Sequence, residues 1–148
     1  MPAVGDEAPD FTVQLPDGST RTLSSLRGRS VILYFFPKAN TAGCTVETRG
    51  FAERYMRYQQ AGFEVIGVSV DSAETQKGFG QRCGSQFPLV GDPTKTIARK
   101  YGVLGFLGVA KRVTFLIGPD GRVRDVTEGM LPGPHLRAAE RWTALAPS

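Results

Sequence analysis

The chain has 148 residues, 41% of them hydrophobic and 22% charged, proportions of an ordinary globular protein that exclude wholesale disorder, a collagen-like chain and a coiled coil. This length is that of one domain, spanning 1–148, which can bury a core without disulfide staples. Lysine and arginine number 18 against 14 acids, a net charge of +4; the bases fall in scattered pairs such as Arg27/Arg29 and Arg122/Arg124 with acids between them, so a solvated surface is expected and no nucleic-acid partner.

Asp10 to Leu15 alternates apolar with polar residues, and Pro16-Asp17-Gly18 is a turn signal before Arg21-Thr22-Leu23. This reads as a short hairpin decorating a larger sheet. Ser30 to Phe36 is apolar on both faces and stops at Pro37, the pattern of a central strand covered by helices. Beyond Lys38-Ala39-Asn40, Thr41 can cap a helix whose buried stripe is Cys44, Thr48, Phe51, Tyr55 and Tyr58, closed by Gly62. Phe63 to Val70 is a second buried strand. A polar segment from Asp71 then carries Phe79 and Cys83 on one helical face, weakened by Gly78 and Gly80.

Pro88-Leu89-Val90 reads as a short strand, Pro93 to Tyr101 as a short helix with proline in its first turn, and Gly102 to Gly108 as a glycine-rich loop. Arg112 to Ile117 and Arg122 to Thr127 flank Pro119-Asp120-Gly121 as a hairpin, and His135 to Ala144 forms a last amphipathic helix. The order predicts an α/β protein: a mostly parallel sheet with helices on both faces and an antiparallel edge. The longest apolar run, Val31 to Phe36, falls far short of the roughly 18–20 residues that span a bilayer. With no signal-peptide pattern in MPAVGDEAPDF, a cytoplasmic address without membrane contact is expected.

Two cysteines and one histidine, His135, are too few for a disulfide framework or a four-ligand zinc site, and neither metal nor cofactor is expected. Cys44 is the third residue of its helix, where unpaired N–H groups and the helix dipole favour an anion and thus the reactive thiolate. A buried cysteine packing as a small hydrophobe is the competing reading. Thr41 can equally be a plain cap and Pro37 a plain strand stop. His135 reads as a surface residue near a helix start.

Pro37, Thr41 and Cys44, with Glu47 after them, stand in the segment FFPKANTAGCTVE, which resembles the peroxiredoxin active-site motif in its bacterioferritin comigratory, or Q-type, version. GDEAPDFTVQLPDG, VILYFFP, FEVIGVSVDS, FPLVGDPTKTIARKYGV and KRVTFLIGPDGRV extend the resemblance over nearly the full chain. It implies a thioredoxin fold with an N-terminal β-hairpin extension and a thiol peroxidase reducing hydrogen peroxide and organic hydroperoxides. By it Cys44 is the peroxidatic cysteine, Thr41 binds thiolate and peroxide, Pro37 shields the sulfenate, and Arg112 stabilises thiolate and transition state while Glu47 orients it. Without the resemblance, Arg112 and Glu47 read as surface residues.

Many Q-type relatives carry a resolving cysteine five residues after the peroxidatic one, where this chain has Arg49. A second group places it on the following helix, which points to Cys83 and an intramolecular disulfide; a core cysteine with resolution by an outside thiol is the alternative. The resemblance also implies thioredoxin or a similar dithiol as reductant, and a monomer. A general disulfide oxidoreductase lacks its Cys-x-x-Cys motif here, and a cysteine hydrolase lacks a motif supplying its His base. From another class, the alternative is a redox-sensing or partner-binding protein switched by Cys44 oxidation.

Overall fold

In the computed structural model, which describes residues 1–14 and 18–144, β1 (Thr12–Gln14) pairs antiparallel with β2 (Thr20–Thr22). Of the expected turn, Pro16 and Asp17 lie outside the described residues. The hairpin forms a two-stranded sheet of its own rather than extending the larger one. Its attachment is by packing, with Phe11 and Val13 buried in the core beside Leu23 of the 3₁₀ turn Leu23–Leu26. Further forward, Gly5 and Asp6 exchange backbone hydrogen bonds with Val123.

The larger sheet contains β3 (Ser30–Phe35), β4 (Phe63–Ser69), β5 (Leu89–Gly91), β6 (Val113–Ile117) and β7 (Val123–Glu128), in the order β5-β4-β3-β6-β7. β3, β4 and β5 run parallel; β6 is antiparallel to both β3 and β7, so it alone is reversed. The helices are α1 (Ala42–Gln60), α2 (Ala73–Cys83), α3 (Thr96–Lys100) and α4 (Pro132–Ala144).

β3 supplies both cores, because successive side chains of a strand point to opposite faces. Ile32, Tyr34 and Phe36 meet α1, α2 and α4 through Phe51, Tyr58, Phe79, Ala138 and Trp142. Val31, Leu33 and Phe35 meet α3 and the N-terminal segment through Ile97, Tyr101 and Phe11. Each such large apolar side chain contributes about 1.5–3 kcal/mol relative to exposure. Trp142 also donates its indole N–H to Asp125 at 2.7 Å, joining α4 to β7.

The third helix is shorter than Pro93 to Tyr101, and Pro93 is not in its first turn. The Asp92 carboxylate accepts the N–H groups of Ile97 at 3.2 Å and Ala98 at 2.9 Å. The chain reaches that cap through Lys95 in a left-handed conformation (φ 63°), so the helix starts only at Thr96. At the far end of β5, Gly91 lies so close to the start of α2 that an added Cβ would stand 2.6 Å from the backbone nitrogen of Ala73. Backbone cannot rotate away as a side chain can. Gly91→Ala is therefore expected to destabilise the protein by about 1–3 kcal/mol, seen in urea unfolding as a lower midpoint with an unchanged slope.

Candidate active site

Two ends of the sheet converge on one point. β3 leaves the sheet at Phe36-Pro37 and turns through Lys38, Ala39 and Asn40 into α1, while Phe35 pairs with Val113, which puts Arg112 beside that exit. Ala39 donates its N–H to Asp71 at 2.8 Å, anchoring the loop to the end of β4. Thr41 occupies the N-cap position of α1, but its hydroxyl donates to the carbonyl of Lys38 at 2.8 Å and makes no capping bond. Its own carbonyl accepts the N–H of Thr45 at 2.9 Å, closing the first turn around Cys44.

Cys44 is 1% exposed. Arg112 points Nη2 at its sulfur from 3.3 Å, donates Nη1 to Glu47 Oε1, and donates Nε to the carbonyl of Met130 at 2.8 Å. The guanidinium plane is thereby fixed from three sides, on a residue only 6% exposed. Burial works against its charge, but Glu47 and Cys44 more than offset this and hold it protonated. Burial pushes the Glu47 carboxyl up to about 7 against the pull of Arg112. Gly43 gives the guanidinium its room, since a Cβ there would lie 3.1 Å from Arg112 Nη2.

His135, expected at the surface, is wholly buried. Its place on α4 is on the face that carries Ala138, Ala139 and Trp142 into the core, and its ring is held at both nitrogens. The carbonyl of Gly129, 2.9 Å from Nε2, can only accept, so Nε2 carries the proton and Nδ1 accepts from the Thr114 hydroxyl at 2.7 Å. Burial, against the Gly129 hydrogen bond but with the help of Arg112's charge, lowers its pKa. The neutral ring faces Glu47 Oε2 at 3.9 Å without an ion pair.

A histidine neutral when folded binds a proton on unfolding below its ordinary pKa, so its contribution to stability is complete above about 6.5 and is lost as pH falls below that. Glu47, with a raised pKa, acts in the opposite sense between about 4.5 and 7. The prediction is therefore differential: the stability gap between the native chain and His135→Gln is expected to be constant above pH 7 and to shrink towards pH 5.5. Urea unfolding across that range measures it, and a flat gap would contradict the linkage.

The structure thus brings Cys44, Glu47 and Arg112 together and sets Thr41 and Pro37 at the loop before them. Cys83 lies on a different helix, as the last residue of α2, and shares the buried cluster that contains Cys44. Burial raises its pKa, with Arg49 and Arg82 opposing. Sequence reasoning missed Gly43, the Met130 carbonyl and the buried His135. Only His135 had a readable signal, its 135, 138, 139, 142 spacing with Ala138, Ala139 and Trp142.

Among the described residues no helix is long and apolar enough to cross a membrane. Residues 4–126 match the AhpC/TSA family. The chain is 32% identical over 145 residues to peroxiredoxin Bcp of Escherichia coli strain K12, covering 93% of each chain. Its fold superposes on the crystal structure of peroxidoxin BcpB from Mycobacterium tuberculosis with a TM-score of 0.90 and 30% identity over 100% of both chains. It superposes on a cysteine-to-serine mutant of Xylella fastidiosa PrxQ with a TM-score of 0.88 and 27% identity over 97% of each. A thioredoxin-like sheet, a cysteine in the first turn of the helix after its central strand, and these likenesses over most or all of the chain place the protein in the AhpC/TSA family, as a peroxiredoxin of the Bcp, or Q, type.

Proposed function

We propose that this thiol peroxidase uses Cys44 to reduce hydrogen peroxide and organic hydroperoxides, and Cys83 to resolve the product. The observation that carries the reading is the Arg112 guanidinium, buried and locked by Glu47 and Met130, with Nη2 on the Cys44 sulfur. A permanent planar cation there favours negative charge on sulfur, and its remaining N–H groups can follow the charge onto the peroxide oxygens. The thiolate attacks the terminal oxygen, the O–O bond breaks, and the other oxygen leaves as water or alcohol once protonated, leaving Cys44 as sulfenic acid. Thr41 already donates to Lys38 and so offers its lone pairs to the O–H of the incoming peroxide. Pro37, half-buried at the exit of β3, screens the sulfenate.

The thiol of Cys83, in the same chain, then forms a disulfide with Cys44, so one copy of the domain suffices. Thioredoxin or a similar dithiol protein returns the electrons, in the cytoplasm, without metal or nucleic acid. The test is peroxide consumption coupled to a thioredoxin system, with disulfides mapped by peptide mass. Many equivalents consumed per protein and a Cys44–Cys83 disulfide support the reading. A single equivalent indicates a sensor, and a Cys83 that stays free through complete turnover leaves a one-cysteine enzyme dependent on an outside thiol.

A further inference from the structure

Asn40, one residue before Thr41, holds a left-handed backbone (φ 65°). Its side-chain oxygen accepts two hydrogen bonds from Arg82, from Nε at 3.0 Å and from Nη2 at 2.5 Å. Arg82 is exposed and immediately precedes Cys83. From α1, Arg49 adds a bond from Nη2 to the carbonyl of Arg82 at 3.4 Å. The loop on the other side of this contact is firmly held, because Asp71 accepts both the Ala39 N–H and the Ser69 hydroxyl. The turn on the Cys83 side ends at Gly84, left-handed at φ 71°, and is closed by short local bonds such as Ser85 N–H to Gly80. A two-pronged surface contact thus ties a rigid loop leading to Cys44 to a weak helix end bearing Cys83.

We propose that the Arg82–Asn40 pair is a catch that holds the Cys83 segment closed in the reduced protein and sets the rate at which the Cys44 sulfenic acid is resolved. This rests on Cys83 being the resolving residue. In that step the Cys83 sulfur attacks the Cys44 sulfur. The S–S bond forms as the S–O bond breaks, and the hydroxyl leaves as water with the proton of the Cys83 thiol. Cys83 is oxidised and the sulfenic sulfur reduced. In this step Cys83 is drawn from the last turn of α2 to the Cα separation of about 4.4–6.8 Å that a disulfide requires, and Arg82 moves with it. While the catch stays closed, a second peroxide can instead carry Cys44 to the sulfinic acid. Arg82 acts here as a positioning residue that touches neither substrate nor the reacting sulfurs.

The experiment uses the full chain with Arg82→Ala and, separately, Asn40→Gly, which removes the acceptor while tolerating the left-handed backbone. After one equivalent of hydrogen peroxide, alkylation and mass analysis follow sulfenic acid and disulfide, and amide exchange is measured on reduced protein over residues 80–87. Both variants are expected to form disulfide about fivefold faster, the factor corresponding to about 1 kcal/mol of exposed charge-assisted hydrogen bonding. They should exchange faster over 80–87 and accumulate less sulfinic acid at high peroxide, and the double variant should go no further than either single one. Arg82→Ala should oxidise Cys44 at a rate within about twofold of the native chain, which a general loosening of the site would not permit. If the native chain forms a Cys44–Cys83 disulfide and the variants form it no faster, the catch is refuted and the two-cysteine reading stands. If the native chain forms none, both fall.

Discussion

Cys44→Ser is expected to reduce peroxide turnover to about a thousandth of the native value or less, because an unactivated hydroxyl is a weak nucleophile and yields no sulfenic acid to pass on. The fold should survive the exchange. Serine is close to cysteine in size, and its oxygen can accept the same Arg112 Nη2 that now reaches the sulfur at 3.3 Å. Unfolding should therefore shift by no more than about 1–2 kcal/mol, chiefly from placing a hydroxyl at a site 1% exposed. Steady-state peroxide consumption and urea unfolding on the same preparation decide the matter. Turnover that persists in folded Cys44→Ser would move the chemistry to another residue.

Arg112→Lys should lower kcat/KM for hydrogen peroxide by about tenfold or more, a loss of about 1.4 kcal/mol of transition-state stabilisation. Lysine retains the charge, yet one ammonium cannot reach Cys44, Glu47 and the Met130 carbonyl together as the planar fork does. Its loss also leaves Glu47, wholly buried, with a weaker counter-charge. The discriminating quantity is specific activity per folded molecule. A variant that melts earlier but keeps full specific activity would reduce Arg112 to a structural ion pair.

The strands and the helix carrying Cys44 were legible because their signals are local. Six apolar residues stopped by Pro37 make a central strand, and the 44, 48, 51, 55, 58 stripe is the buried face of α1. The start of α3 was not legible, because Asp92 reaches forward five and six residues to cap it while Lys95 turns left-handed. Arg112 and Glu47 are 65 positions apart, and composition alone would have left both on the surface. Their burial depends on the register of β6 against β3, a long-range pairing that no local pattern encodes, and only the family resemblance joined them. His135 was misplaced for the opposite reason: a polar residue type outweighed a helical spacing that put it on the core face.

The sequence contains one tryptophan, and Trp142 lies in the buried cluster that also contains Cys44 and Cys83, with its indole tied to Asp125. The protein therefore carries one indole, a built-in optical probe where α4 meets the β7 edge of the sheet. Excited apart from the tyrosines, that indole reads one place in the molecule, so the opening of the α4–β7 contact on unfolding can be timed in the unlabelled, unmutated chain by stopped-flow fluorescence.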